Sequence, residues 1–239
     1  MILGHEKKLD PKSHVFTVLF VCTGNICRSP LGEQILLARL RDEPGWVEVR
    51  SAGTMARVGE PMTEQARQLS VLYGGDPSSH AASELTESSL RRSGLILTAT
   101  RLHRAAVVSM DPRSTRVTFT IREFARLIQT LRELEPERWT RLTEDDSKGL
   151  EAFVREVSAM RGLSVRFASP EDDDVLDPYR GSQDVYDAAG ELIDSAVEII
   201  ASALLEVLRP TSNSKRDVPS LSDIISDGPT LFRSAATGE

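Results

Sequence analysis

Residues 15–29 read VFTVLFVCTGNICRS, and this stretch decides how the rest of the chain is interpreted. The run from Val15 to Val21 is apolar, β-branched and aromatic, which is typical of a strand buried on both faces of a parallel sheet. Cys22 follows directly. A helix is predicted from Pro30 up to Pro44-Gly45, because apolar residues recur there at helical spacing: Leu31, Ile35, Leu36 and Leu40. The stretch therefore predicts a strand, a glycine-containing loop and a helix.

The same alternation of strand and helix recurs downstream. Strands are predicted at 46–50, 95–99 and 117–120, and helices at 63–72, at 102–109 and from Ile121 onward. This order predicts an α/β fold with a doubly wound parallel sheet. Ligands in such folds bind at the carboxyl ends of the strands, which is where Cys22 falls.

The loop from Cys22 to Ser29 has the features of a phosphate site. Between a strand and a helix, its backbone N–H groups can curl around an anion, and the helix N-terminus adds partial positive charge. The same field favours a nucleophilic thiolate at Cys22. Glycine permits close backbone approach and asparagine tolerates a left-handed conformation. The residues predicted to surround the phosphate are Thr23, Gly24, Asn25, Ile26, Cys27 and Ser29.

Arg28 lies six positions after Cys22 and can fold back over the loop. Its planar fork grips two phosphate oxygens in a way that lysine cannot reproduce. Ser29 can donate a hydroxyl hydrogen bond to the Cys22 sulfur, which makes the sulfur a better leaving group. A cysteine with an arginine six residues later is by itself a weak signal, because the pair arises often by chance.

The wider sequence context is more specific. The segment VLFVCTGNICRSPLGE (18–33) resembles the signature of the low-molecular-weight protein tyrosine phosphatases. The similarity continues through SAGT (51–54), VGEPM (58–62), LILTATRLH (95–103) and DPYRGS (177–182), and covers most of residues 15–208. It is nearest to the bacterial members that are paired with exopolysaccharide tyrosine kinases.

The resemblance implies a fold and an activity. The fold is a three-layer α/β domain, in which a four-stranded parallel sheet has helices on both faces and the phosphate-binding loop follows the first strand. The activity is hydrolysis of phosphotyrosine in proteins through a cysteinyl-phosphate intermediate, without metal or other cofactor.

The resemblance also assigns roles outside the loop. Asp177 is implied as the general acid, and Pro178 would hold it in an extended loop that can reach the leaving oxygen. We expect the competing carboxylates 172–174 to form a solvated face, as runs of like charge usually do. Ser51 and His80 are implied as braces of the phosphate loop. His103 is expected to be an ordinary residue at a helix start.

Two further roles follow from the same comparison. Residues Met55, Ala56 and Arg57 stand where some members carry a pocket-flanking aromatic residue, so recognition of phosphotyrosine is expected to rest on Tyr179 alone. Cys27 is implied as a resolving thiol that captures oxidised Cys22 as a disulfide.

The chain is expected to have three parts. Residues 1–14 form a flexible lead, residues 15–208 form the phosphatase-like domain, and residues 209–239 form a disordered tail rich in Ser, Pro, Asp and Gly. A charged insertion around 132–169, with a helical stretch near 150–160, is expected to be a lid-like surface segment. A long helix is predicted from Val185 to Leu208.

Composition limits the partners. The 239 residues carry a net charge of −7, which argues against binding to nucleic acid or to anionic membranes. Two cysteines do not make a disulfide framework, and no apolar stretch approaches the length of a membrane span. We therefore expect a cytoplasmic protein without membrane contact, whose partners are a phosphotyrosine protein and a bacterial tyrosine kinase. The sequence does not predict an oligomeric state.

Two alternative functions remain open at this point. An arsenate reductase-like thiol enzyme would use a similar loop, although two cysteines leave its usual relay incomplete. A non-catalytic phosphotyrosine-binding module would keep the phosphate cradle without turnover.

Overall fold

Four parallel strands form the sheet at the centre of this computed structural model, which describes residues 15–43, 45–144, 149–163 and 170–209. The strands are β1 (Phe16–Cys22), β2 (Val47–Gly53), β3 (Leu95–Thr98) and β4 (Thr118–Thr120). Their order in the sheet is β2-β1-β3-β4, and every neighbouring pair is parallel. The four-stranded parallel sheet is therefore confirmed, with β1 as a central strand.

Eight α-helices connect and cover the strands in the described part of the chain. They are α1 (Arg28–Arg39), α2 (Glu64–Leu72), α3 (Glu87–Arg92), α4 (Arg101–Met110), α5 (Ile121–Leu134), α6 (Pro136–Glu144), α7 (Leu150–Ala159) and α8 (Gln183–Leu208). The sequence patterns missed α3 and α6, which are short. Threonine side chains cap the start of three helices. Thr86 accepts the N–H of Ser89 at α3, Thr100 that of His103 at α4, and Thr120 that of Glu123 at α5.

Helices cover both faces of the sheet. Phe16, Val18 and Phe20 of β1 are buried in the larger core, beneath α1, α5 and α8. Leu19 and Val21 point to the opposite face, into a smaller core with residues of α3 and α4. This alternation explains why β1 is apolar except at Thr17, and it confirms the three layers.

The C-terminal helix α8 packs along the larger core. A stripe of buried side chains at helical spacing faces α1 and α5: Ile193, Val197, Ile200, Leu204 and Val207. The predicted helix is present and begins two residues earlier than expected.

The charged segment that follows α5 is packed against the core. Leu142 of α6 and Phe153 and Val157 of α7 are buried in the larger core, and the rings of Trp139 and Phe153 meet at 6.1 Å. The expectation of a lid-like surface segment is wrong for residues 136–144 and 149–163. Their charged residues lie at the surface, and a stripe of apolar residues is buried. The high charge content made this apolar stripe hard to recognise in the sequence.

The predicted lead (1–14) and the tail from residue 210 onward lie outside the described residues. In the part of the chain that is described, no helix combines the length and apolarity needed to cross a bilayer.

Candidate active site

The loop between β1 and α1 turns its carbonyl groups outward. The carbonyl oxygens of residues 22–26 each accept a hydrogen bond of 2.8–3.0 Å from beyond the loop. Their donors, in order, are the N–H groups of Thr54, Met55 and Arg57, Nε2 of His80, and the N–H of Thr63. None of the N–H groups of residues 23–28 donates to another described residue. These amides are therefore available to an anion at the N-terminus of α1.

Asn25 holds this loop from below. Its φ of 55° is the left-handed conformation that the sequence analysis expected. Its Oδ1 accepts the N–H of Ser83 at 2.8 Å, and its Nδ2 donates to Ser29 Oγ at 2.9 Å and to Ser51 Oγ at 2.8 Å. The expected brace by Ser51 and His80 is thus visible in the structure, with Ser83 as a member that sequence reasoning missed.

These bonds orient the hydroxyl of Ser29. Its oxygen already accepts from Asn25, so its own proton is left for a second partner. The Cys22 sulfur lies 2.9 Å away and the carbonyl of Ala52 lies 3.4 Å away. The geometry favours donation to the sulfur, in agreement with the role expected for Ser29.

The brace ends at the partly buried carboxyl of Glu33. Ser51 accepts from Asn25 and donates to Glu33 Oε2 at 2.5 Å. Burial raises the pKa of Glu33, while the bond from Ser51 and the charge of Arg50 oppose that rise. On the other side of the loop, burial lowers the pKa of His80, which keeps its imidazole neutral as it donates to Asn25.

Arg28 lies over the loop and faces Asp177. The guanidinium is buried, with Nη2 at 3.0 Å from Asp177 Oδ2 and Nη1 donating to the Val175 carbonyl at 3.3 Å. The structure therefore brings the predicted clamp and the predicted acid together, although 149 positions separate them in the sequence.

One cleft of about 180 Å³ collects most of the predicted site residues. Its floor and walls are Cys22, Thr23, Gly24, Ile26, Cys27, Arg28, Met55, Arg57, Asp177 and Tyr179. Met55 and Arg57 line the same cleft as Tyr179, so Tyr179 is not the only side chain there that can contact a substrate. Arg57 Nη1 donates to the Tyr179 hydroxyl at 3.2 Å.

A close backbone approach that the sequence analysis did not predict occurs at Gly53, while the approach of Gly24 to phosphate stays a prediction. A Cβ on Gly24 would make only ordinary contacts, the nearest at 3.4 Å. A Cβ on Gly53 would lie 2.4 Å from the carbonyl oxygen of Thr23. The end of β2 thus passes so close to the phosphate loop that only glycine fits there.

Cys27 is the residue directly before α1. The sulfur contacts Thr63 Oγ1 at 3.4 Å and Tyr186 Oη at 3.5 Å. Burial raises the pKa of Cys27, and these two hydrogen bonds oppose the rise. Burial also raises the pKa of Tyr186 to about 12. Both cysteines are free thiols.

His103 is more than the ordinary helix-start residue that was expected. It is buried, and its Nε2 lies 2.8 Å from Thr23 Oγ1 while its Nδ1 lies 2.7 Å from Thr100 Oγ1. Burial, and then the charge of Arg28, lowers its pKa to about 4. A neutral His103 therefore ties the phosphate loop to the start of α4. Its place in a matched motif was the only sequence signal for this role.

The acidic run before Asp177 is also different from the expected solvated face. Asp173 pairs with Arg126 at 2.9 Å, and the carboxylate of Asp174 accepts the N–H of Arg101 at 2.7 Å. These two carboxylates are structural anchors, whereas the side chain of Asp177 is 57% exposed and lines the cleft. Across the described ranges, no three His, Cys, Asp or Glu side chains are grouped so that they could hold a metal ion.

The sequence of this chain is similar to those of known phosphatases. The sequence profile of the family described as low molecular weight phosphotyrosine protein phosphatase matches residues 17–138. Etp of Escherichia coli K12, a low molecular weight protein-tyrosine-phosphatase, is 41% identical over 96 residues, which are 40% of this chain and 62% of Etp. The protein-arginine-phosphatase of Bacillus subtilis is 33% identical over 108 residues, covering 45% of this chain and 71% of that protein.

The fold has solved counterparts as well. The crystal structure of the low molecular weight protein tyrosine phosphatase from T. tengcongensis superposes with a TM-score of 0.55 at 27% identity, covering 78% of this chain and 98% of that one. With the phosphate loop after β1 and a sequence match over half of its length, this chain belongs to the low molecular weight phosphotyrosine protein phosphatase family.

Proposed function

We propose that this protein hydrolyses phosphotyrosine in proteins, with Cys22 as nucleophile, Arg28 as phosphate clamp and Asp177 as general acid. The observation that carries the proposal is the set of unpaired loop N–H groups around Cys22, with the fork of Arg28 above them. This arrangement matches the three equatorial oxygens of a phosphoryl group in transfer. Ionised phosphate is a better fit to it than any neutral ligand.

The first step forms a bond between the Cys22 sulfur and phosphorus. The thiolate supplies the electron pair, the bond from phosphorus to the tyrosine oxygen breaks, and that oxygen takes the proton of the Asp177 carboxylic acid. Arg28 must turn its fork from the carboxyl of Asp177 to the phosphate as substrate enters. Asp177 is then free to face the leaving oxygen.

The second step hydrolyses the cysteinyl phosphate. Water attacks phosphorus and gives a proton to the Asp177 carboxylate, and the bond between sulfur and phosphorus breaks. The hydroxyl of Ser29, which Asn25 directs toward the sulfur, stabilises the departing thiolate. Inorganic phosphate leaves, and the enzyme returns to its starting charge state.

The walls of the cleft favour an aromatic phosphoester. Ile26 and Met55 present apolar surface and Tyr179 presents a ring, so a phenyl group would be contacted from several sides. Phosphoarginine is the second candidate substrate, because a relative that is 33% identical is named a protein-arginine-phosphatase. Its guanidinium would meet the cationic side chain of Arg57 at the mouth, which disfavours it.

Paired peptides test the choice of substrate. We expect kcat/KM to be higher on a phosphotyrosine peptide than on the same peptide with phosphoarginine at that position. Substituting Arg57→Leu should raise the phosphoarginine rate relative to the phosphotyrosine rate. A wild-type preference for phosphoarginine would overturn the substrate assignment and leave the hydrolytic mechanism standing.

A direct test of the mechanism uses para-nitrophenyl phosphate without added thiol. Cys22→Ser should abolish turnover but keep binding of vanadate, since the loop amides and Arg28 remain. The other cysteine offers a matched comparison, and Cys27→Ser should lose far less activity because its sulfur faces Thr63 and Tyr186. Turnover by Cys22→Ser near the wild-type rate would refute the nucleophile.

The two alternatives give different results in the same assay. An arsenate reductase-like enzyme would oxidise a thiol reductant when arsenate is added and would not release phosphate from the ester. A binding module would retain a phosphopeptide without turnover. Turnover in the absence of reductant argues against both.

The partners remain part of this proposal. A phosphotyrosine substrate requires a kinase that phosphorylates tyrosine, so we place a bacterial tyrosine kinase upstream and the reaction in the cytoplasm, where exopolysaccharide regulation is one setting. Capture of phosphoproteins from lysate by Cys22→Ser, followed by their identification, tests this assignment. Recovery of proteins without phosphotyrosine would contradict it.

A further inference from the structure

The chain just before Asp177 is fastened to the turn that follows β3. The N–H of Val175 donates to the carbonyl of Ala99 at 2.8 Å. Asp174 Oδ1 accepts the N–H of Arg101 at 2.7 Å, and the carboxylate also meets the Arg101 guanidinium at 3.3 Å. Because Arg101 is the first residue of α4, the carboxylate also interacts favourably with the dipole of that helix.

The same turn is fastened to the nucleophile loop. The N–H of Ala99 donates to the carbonyl of Val21 at 2.8 Å, one residue before Cys22. Four residues later, His103 lies 2.8 Å from the hydroxyl of Thr23, one residue after Cys22. Residues 99–103 therefore connect the chain on both sides of the nucleophile to the chain that carries the acid.

The ion pair with Arg28 does not hold Asp177 in place during the reaction. Arg28 pairs with Asp177 at 3.0 Å in the unliganded site, but a bound phosphate would take the fork, and a protonated acid no longer forms an ion pair. The side chain of Asp177 is 57% exposed, and besides Arg28 its carboxylate accepts the N–H of Tyr179 at 3.2 Å, a bond within the same loop that does not fix where the loop lies. Asp174, at 24% exposure, does not line the cleft and pairs with Arg101, so binding of phosphate to Arg28 leaves its contacts in place.

We propose that Asp174 is a positioning residue, which holds the acid-bearing loop on the turn after β3 so that Asp177 stays aimed at the leaving oxygen when Arg28 is engaged by phosphate. This inference rests on the proposed function and adds a residue to it. Asp174 touches neither substrate nor nucleophile, and it acts through the backbone at Val175.

The leaving group provides the kinetic test. Asp174→Ala should lower kcat/KM for phenyl phosphate about tenfold more than for para-nitrophenyl phosphate, because proton donation matters most when the departing oxygen is basic and a displaced acid donates poorly. In an Asp177→Asn background, Asp174→Ala should add no further selectivity, since the group it positions is gone.

Asp173→Ala is the matched control. This variant also removes an ion pair close to Val175, that of Asp173 with Arg126. Arg126, however, lies on α5 rather than on the turn after β3. We expect this variant to lose stability without selectivity between the two esters. Equal losses on both esters for Asp174→Ala, or selectivity that persists with Asp177→Asn, would overturn the proposal.

Amide hydrogen exchange provides a readout that needs no turnover. The amide of Val175 should exchange faster in Asp174→Ala than in wild type or Asp173→Ala, because its bond to Ala99 depends on the anchor. Unchanged protection of Val175 would overturn the proposal whatever the kinetics. If the wild-type protein hydrolysed neither ester, the proposed function would fail, while the exchange result would still decide whether Asp174 holds the loop.

Discussion

Replacing Asn25 by alanine should destabilise the whole protein as well as its loop. Asn25 is fully buried, and its amide makes three hydrogen bonds of 2.8–2.9 Å, to Ser29, Ser51 and Ser83. Alanine removes all three and leaves the N–H of Ser83 without its acceptor. Alanine must also adopt the left-handed φ of 55°, and it has no polar side chain that could stabilise this conformation by a local hydrogen bond.

The expected loss follows from these contacts. Three intramolecular hydrogen bonds at about 1 kcal/mol each amount to about 3 kcal/mol. The left-handed backbone adds about 1 kcal/mol for alanine. We therefore expect the free energy of unfolding to fall by about 4 kcal/mol, a large part of the stability of an ordinary domain. Asn25→Gly removes the same three bonds without the backbone strain, so it should be about 1 kcal/mol less damaging.

Urea unfolding followed by circular dichroism measures both variants against wild type. The midpoint should shift with an unchanged slope, since the surface exposed on unfolding is the same. A loss below about 1 kcal/mol for Asn25→Ala would refute the assignment of the three bonds. Equal losses for the alanine and glycine variants would refute the contribution of backbone strain.

Three further predictions concern the cleft and its surroundings. Arg28→Lys should lose several orders of magnitude in kcat/KM on para-nitrophenyl phosphate, because a point charge cannot bind two equatorial oxygens at once; a rate near wild type would remove Arg28 from the site. Peroxide-inactivated wild type should recover with dithiothreitol better than Cys27→Ser, if Cys27 captures the oxidised Cys22; equal recovery would leave Cys27 as a packing residue. Because the folded-state pKa of His103 is lowered to about 4, wild type should lose stability as the pH falls from 6.5 toward 4, where the unfolded chain takes up the proton first. His103→Gln should flatten that dependence in pH-resolved unfolding curves, and an unchanged slope would contradict a buried neutral imidazole.

The central strand and the phosphate loop were predictable because their determinants are contiguous. Phe16, Val18 and Phe20 pack in the larger core, and Leu19 and Val21 pack in the smaller core. The loop needs only consecutive amides, a residue that accepts φ near 55° and a helix start, all of which lie within residues 22–30. Local sequence therefore carries this part of the site.

Helices whose sequences combine many charged residues with a few apolar ones were predicted less well. The stretch after Leu134 is rich in charge, and its apolar positions lie on one side of two short helices that gain stability only by packing on α5 and α8. Short helices have weak intrinsic stability, so tertiary contacts decide whether they form. Their burial could not be read from composition.

Sequence alone determined the strand-loop-helix unit, the parallel sheet, and the pair Cys22 and Arg28 that we propose as nucleophile and clamp, because each depends on residues that are close in the chain. Tertiary structure alone decided that His103 contacts Thr23, that Arg57 contacts Tyr179 and that Asp174 contacts Arg101. These partners are 80, 122 and 73 residues apart, and no local pattern encodes which distant side chain a folded backbone brings within hydrogen-bond distance. The order β2-β1-β3-β4 places the turn after β3 beside Cys22, which accounts for the contacts of His103 and Asp174.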